Sequence, residues 1–352
     1  MIEVRAFDGG YDQMSAFIAE MWRKNYEGRM PVPHWTSDFY ARDGGPEETA
    51  MAWSPAAYDG TRLVGILPGW PIKVHVHGRE CLVRTGTGAS VDVEYQRQGI
   101  GKMLNEWKMK HARENGVDFT LFFLYDRTVK FKGSKFWKAR GMPTDLVCRL
   151  GQWARPLDHA AVVRWELWRI ERCATRLLAL VQRPVPPPAD AQTVRDYRPE
   201  DLPDCEKLVR TVGDTLDLAR RFDSEGLARH LQFKDVAKTM VVEHEGRVAG
   251  LANFCYLEIL GRTLERLGLI DLVVFDEALP HARRVDLLRA VLHRMKQDGM
   301  IAAFMLRGSK HGRRAFRAAG FLPSLPEYSL VAIRNCQEAP IENVRTVMQL
   351  WR

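Results

Sequence analysis

The chain has 352 residues, 46% hydrophobic and 27% charged, the balance of an ordinary globular protein of about two domains, which excludes disorder over most of its length. Its apolar runs fall short of the roughly 18 residues that a transmembrane helix needs, and the opening MIEVRAFDGG is acidic where a signal peptide is basic and then apolar. A cytoplasmic protein with no membrane partner is expected; the net charge of +8 is compatible with an anionic ligand but identifies none.

In chain order, IEVRAF predicts a strand and YDQMSAFIAEMWRKN a helix. Asn25 to Tyr40 follows as a long loop, and MAWSPAAYDGTRLVGILPGWPIKVHV predicts a strand pair. His75 and His77, two apart in VHVHG, would share a strand face; a metal pair is conceivable there, but a plain surface or core role fits better. The stretch GASVDVEYQRQGIGKMLNEWKMKHARENG predicts strand, loop and helix, FTLFFLY a further strand, and KGSKFWKARGM a short helix. Asp158 to Gln182 has apolar residues recurring at three and four, which predicts a long amphipathic helix packed on one or both domains. Four prolines in RPVPPPAD then mark a linker.

Beyond the linker the plan repeats. TVRDYR, PEDLPDCEKLVRTV, a strand pair turning at Glu245-Gly246, a strand–loop–helix and the strand IAAFMLR follow in the same order. This reads as a duplicated α/β unit. A last short helix is expected over about Ile341 to Trp351. The six cysteines are scattered, with no CxxC pair, so reduced thiols are expected and no metal site.

The informative stretch is SVDVEYQRQGIGKML, Ser90 to Leu104. A strand runs to Val93, a loop carries Gln96, Arg97, Gln98, Gly99, Ile100 and Gly101, and a helix starts near Gly101. Two glycines let the backbone turn and approach a ligand. The helix start offers unpaired N–H groups and the positive end of a dipole. Together they make a site for phosphate or pyrophosphate, with Arg97 and Lys102 adding charge.

This context of strand, Q-x-x-G-x-G and amphipathic helix resembles the acyl-CoA-binding signature of the GNAT superfamily of N-acetyltransferases. Gln96, Gly99 and Gly101 complete it, V-D-V-E-Y is similar to the family's V-x-P-E-Y, and GSKFWKARGM to its last helix. The resemblance covers Ile2 to Leu150 well and Thr193 to Ile333 more weakly. It implies an α/β (α+β) fold: two tandem GNAT-like domains, each a mixed, mostly antiparallel sheet flanked by helices. The expected boundaries are an N-terminal catalytic domain over 1–154, a linker over 155–192, a second GNAT-like domain over 193–335 and a tail over 336–352.

The resemblance further implies that amides from Gln98 to Lys102 cradle the pyrophosphate of acetyl-CoA or another acyl-CoA. An amide near Val91 or Val93 would polarise the thioester, and a small-molecule amine would attack directly. The match then fails in places. Trp137 stands where many members have an acidic tyrosine, Lys130 where an asparagine is frequent, and Thr85 where some carry a glutamate. Tyr125 is left as a candidate acid and Asp92 as a candidate base or amine ligand. Gly86, Gly88 and Ala89 leave room for a bulky amine or a larger acyl group, or else mark close backbone packing. The aromatics and His34 of the 25–40 loop suit an apolar acceptor, or simply pack that loop. In the second half Pro280, Arg283 and Val285 fall at the signature positions, so a degenerate corner that does not bind CoA is expected. Two other readings stay open: a non-catalytic acyl-CoA sensor, and a Fem-like transferase using aminoacyl-tRNA, although the intact signature argues against a nucleic-acid partner.

Overall fold

The computed structural model describes residues 1–125, 144–189, 193–308, 312–336 and 340–348. Its fold is mixed α/β, with a large, mostly antiparallel sheet flanked by helices. The first half contains β1 (Ile2–Ala6), α1 (Tyr11–Tyr26), β2 (Val32–His34), α2 (Ser37–Gly44), α3 (Glu47–Ala52), β3 (Pro55–Asp59), β4 (Arg62–Ile66), β5 (Trp70–Val76), β6 (Arg79–Thr85), β7 (Ser90–Val91), α4 (Ile100–Glu114) and β8 (Phe119–Tyr125). Then come β9 (Asp145–Pro156), α5 (His159–Trp165) and α6 (Arg169–Val181). The second half contains β10 (Val194–Asp196), α7 (Leu202–Asp214), β11 (Leu218–Arg221), α8 (Ser224–Leu231), β12 (Ala237–His244), β13 (Arg247–Leu260), β14 (Leu264–Phe275), α9 (His281–Gln297), β15 (Ala302–Arg307), α10 (Arg313–Ala318), β16 (Leu322–Pro323), β17 (Tyr328–Arg334) and β18 (Val347–Met348).

The expected order of elements recurs in both halves, but the strands do not respect the division between them. The end of β9 pairs with β15, its start pairs with β17, and β17 inserts between β9 and β8. Strands β11 and β2 likewise cross over, to β5 and β13. The 25–40 segment, expected as a loop, thus adds a strand to the second half. Buried charges reinforce the junction. Arg42 of α2 lies 3.0 Å from Asp271 of β14 and donates to Asn253 Oδ1 of β13 at 2.7 Å. Deep burial of such a pair makes the loss of either partner cost about 3–5 kcal/mol.

Two expectations about local structure are corrected. His77 is not on a strand face with His75: His77 and Gly78 form a two-residue turn, with φ of 46° and 86° and Val76 opposite Arg79. Positive φ at both turn residues matches the twist of the flanking strands. The tail is extended, not helical, over residues 340–348. There β18 pairs with β11, Asn343 turns the chain at a φ of 59°, and Ile341, Val344 and Val347 pack into the main core.

One feature of the fold creates the site. Strands β4–β5 and β6–β7 form a single long hairpin, broken at 67–69 in one arm and at 86–89 in the other. One end of the hairpin belongs to a four-stranded sheet, β1-β3-β4-β7, and the other to the large sheet. The breaks pack backbone on backbone. A Cβ on Gly86 would stand 2.0 Å from Pro68 O, and Gly88 has a φ of 84° with Tyr40 Oη 2.5 Å from its would-be Cβ. Strand β8 pairs in parallel with β6 only at Val83–Phe119 and Arg84–Thr120. Past that point β7 and β8 part, leaving a gap.

Candidate functional site

Helix α4 starts at the edge of this gap. Its N-cap is Gly99, left-handed with a φ of 85° and without a side-chain cap. A Cβ on Gly99 or Gly101 would meet nothing within 4 Å, so these glycines keep a surface open and are not filled by neighbours. The N–H of Lys102 bonds back to Gly99 O at 2.9 Å. That takes Lys102 out of the expected amide cradle. The amides of Gln98, Gly99, Ile100 and Gly101 find no acceptor among the described residues. Four unpaired amides at the positive end of a 15-residue helix form an anion site. Gly99, Ile100 and Gly101 line a cleft of about 1390 Å³ that also carries Arg97, Lys102, Lys110 and Arg113.

The loop before the helix is locked by its own side chains. The strand ends at Val91, two residues earlier than expected, and Val93–Tyr95 is a 3-10 turn. Asp92 caps that turn, accepting from the Glu94 N–H at 3.1 Å, and pairs with Arg62 at 2.8 Å. Its carboxylate is buried and lines neither cavity. The expectation of a base or amine ligand at Asp92 is therefore corrected to a structural cap. Gln96 donates to Asn25 Oδ1 at 2.8 Å, tying the loop to α1. Val93 is exposed and outside the cleft, whereas Val91 and Ile100 line it.

Val91 is placed by the ladder. Asp92 N–H bonds to Val64 O, and alternate residues of an antiparallel strand turn their amides away from the partner. Val91, opposite Gly65, therefore aims its N–H out of the ladder, and β7 is the edge of its sheet. The backbone of Tyr125 closes β8 opposite Tyr328; its side chain, Trp137, Lys130 and the GSKFWKARGM segment lie outside the described residues.

A second cavity, about 690 Å³ and largely apolar, meets the cleft at Trp22, Ala89 and Asn105. It fills the gap between the parted strands. Its walls come from the breaks at 67–68 and 86–89, from β8, and from Leu257, Leu267 and Phe304 of the second half. The 25–40 segment contributes Met30, Pro31, Pro33, Trp35 and Phe39. His34 does not line the cavity: its ring lies 3.3 Å from Glu258. Both readings of Gly86 and Gly88 apply, since they pack backbone tightly and also line the cavity.

Sequence reasoning missed the charged residues in this wall. Lys108 and Arg84 are buried, line the cavity and have no carboxylate partner among the described residues. Burial, with the Arg84 guanidinium nearby, pushes Lys108 down to about 7, and burial pushes Arg84 down to about 9. The Lys108 amine donates to Asn105 Oδ1 at 2.7 Å, and Asn105 in turn donates to Gly101 O at 2.8 Å. Thr120, beside Arg84 in the parallel register, has a buried hydroxyl without a partner. A signal was present: Ile100, Leu104, Lys108 and Ala112 form the buried stripe of α4, and a lysine on an apolar stripe is out of place.

The corresponding corner of the second half is closed. Pro280 is the N-cap of α9 and has no N–H to offer. Arg284 donates to the carbonyls of Leu279, Asp276 and Glu277, Arg283 reaches Thr193, and Val285 is buried.

Among the described residues no cluster of three or more His, Cys, Asp or Glu could hold a metal, and no helix is long and apolar enough to cross a membrane. No protein-family model and no curated protein sequence matches the chain. Solved structures do. The N-myristoyltransferase of Saccharomyces cerevisiae with bound myristoyl-CoA superposes with a TM-score of 0.77 at 13% identity, over 96% of this chain and 84% of that one. A second structure of that enzyme with myristoyl-CoA gives 0.74 at 13%, over 96% and 80%, and one with myristoyl-CoA and inhibitors gives 0.74 at 13%, over 99% and 86%. At this identity the likeness shows the fold.

Proposed function

We propose that the protein is an acyl-CoA-dependent N-acyltransferase of the GNAT type, transferring an acyl group longer than acetyl to a small amine. The observation that carries this reading is the continuity of two sites: four unpaired amides at the start of α4, opening into an apolar cavity where β7 and β8 part. The diphosphate of CoA would lie on Gln98 to Gly101, with Arg97 and Lys102 at the rim. The acyl chain would occupy the 690 Å³ cavity. A ten-carbon chain buries about eight more methylenes than acetyl, roughly 6 kcal/mol as an upper bound, so the cavity favours the longer group. The enzyme of similar fold holds myristoyl-CoA in all three structures, which accords with this choice.

The outward N–H of Val91 would hold the thioester oxygen and the oxyanion of the tetrahedral intermediate. The amine attacks the carbonyl carbon, the C–S bond breaks, and the proton lost from nitrogen goes to a base. Lys108 fits that role. Held near 7, its amine bonds Asn105 through one N–H and sits on the cavity wall, where in its neutral form it could accept a proton. Glu166 and Glu171 on the cavity wall suit an incoming ammonium.

The test is CoA thiol release from acetyl-, octanoyl- and tetradecanoyl-CoA across a panel of primary amines. Turnover that rises with chain length is expected; no turnover with any pair overturns the reading. The base assignment has its own test. In the wild type kcat/KM should rise as pH passes 7, and Lys108→Met should lose about 100-fold together with that rise. Stability gives the sign independently. The unfolded lysine holds its proton up to about 10.5 and the folded one only to about 7, so stability rises with pH across that window. Urea unfolding of Lys108→Met should lack this slope.

A further inference from the structure

The Asp158–Gln182 stretch, expected as one long amphipathic helix packed on its apolar side, forms two helices, α5 and α6, and α6 turns its apolar stripe the other way. Glu171, Arg172, Thr175 and Leu178 face the protein, where Thr175 donates to Glu166 and Arg172 to the carbonyls of Glu166 and Leu167. The stripe Ile170, Cys173, Ala174, Leu177, Leu180 and Val181, spaced by three and four, faces solvent. Its large members are 83% (Ile170), 66% (Leu177), 82% (Leu180) and 77% (Val181) exposed. A surface helix ordinarily turns such a stripe to the core, and a contiguous exposed apolar patch marks an interaction surface.

Charge indicates what covers it. Arg169 and Arg176 flank the stripe along one edge, and Arg183 follows just past the helix end, all exposed. None of the three has an acidic partner among the described residues. The acids of this segment, Glu166 and Glu171, are turned inward. The outward face is therefore apolar with a cationic border. Trp168, at the helix start, is half exposed and lines the apolar cavity, as does Glu171. The start of α6 thus adjoins the wall of that cavity.

We infer that α6 is an interfacial helix that docks the protein on an anionic lipid surface, its stripe sunk among the acyl chains and its arginines at the phosphates. This departs from the expectation of a protein without a membrane partner. It places this side of the cavity at the bilayer, where a lipid-like acyl donor or an amphiphilic amine is concentrated. Docking stands on α6 alone and does not depend on the proposed reaction.

The test is flotation of the full chain with vesicles of phosphatidylglycerol and phosphatidylcholine, against pure phosphatidylcholine. Binding to the anionic vesicles is expected, falling about tenfold on pure phosphatidylcholine or in high salt. Leu177→Glu with Leu180→Glu should abolish it at an unchanged melting temperature, and Arg169→Glu with Arg176→Glu should weaken it about tenfold. A polarity-sensitive dye on Cys173, in a Cys336→Ser background, should shift to the blue on anionic vesicles; this readout needs no folded Leu177 variant. Wild type that stays free of anionic vesicles, or a double-glutamate variant that floats as wild type does, overturns the inference. So does a micromolar dimer dissolved by the same two glutamates, which would make the face a contact between copies of this chain. Retained thiol release from a soluble acyl-CoA in the double-glutamate variant is expected, and separates loss of docking from loss of the reaction.

Discussion

The two strand–loop–helix corners of this protein start from the same plan and end as opposites. At α4 the chain reaches the helix through Gly99 in a left-handed conformation and leaves four amides without acceptors. At α9 it arrives through Pro280, and Arg284 takes up three loop carbonyls. The first corner leaves its amides beside an open cleft. In the second, Pro280 has no N–H to offer, Val285 is buried and Arg283 bonds to Thr193. What separates the two corners is the space around the helix start, which two glycines keep clear at α4 and which a proline and arginine side chains occupy at α9.

The comparison breaks most sharply at Gly101. Since its would-be Cβ meets nothing, Gly101→Leu should keep the fold, and should raise helix stability by about 0.5–1 kcal/mol, while weakening acyl-CoA binding by more than about 100-fold through filling the cleft. Arg283→Leu should leave that affinity unchanged. Calorimetry with a non-hydrolysable acyl-CoA on both variants checks this pair; equal affinities in wild type and Gly101→Leu would remove the site from the α4 corner.

A smaller effect is expected at the closed corner. Arg284→Ala leaves three carbonyls to water and should cost about 1–3 kcal/mol in urea unfolding, without conferring a second CoA site. If it did create one, the two corners would differ only by a plug. The least effect is expected at Asp92. Asp92→Asn keeps an acceptor for the Glu94 N–H and should change kcat by less than about twofold, with the pH profile unmoved. A lost alkaline limb in that variant would return the base to Asp92 and take it from Lys108.

Much of this was readable without a structure. The glycine pair, the helix it opens and the order of elements in each half follow from local rules of backbone conformation and periodicity. The turn at Glu245-Gly246 did as well, both residues having positive φ. His77 escaped because a histidine in a left-handed turn carries no compositional mark. At Asp92 a base, an amine ligand and a solvated carboxylate all stay open in the sequence, because the distance along the chain to Arg62 hides the ion pair. Lys108 stood visible on the stripe of α4 but was passed over, since a lysine at a core position acquires meaning only once nothing nearby neutralises it.

What the amino-acid sequence determined alone was therefore the local machinery: an unfilled helix start beside a strand, and a second copy of the same motif with the glycines replaced. The tertiary structure decided where strands changed partners, which made one sheet from two halves and opened the cavity between β7 and β8. It also decided that α6 turns its apolar side outward. The period of three and four specifies that a helix has an apolar face. Which way that face points depends on neighbours distant in the chain, and periodicity contains no information about them.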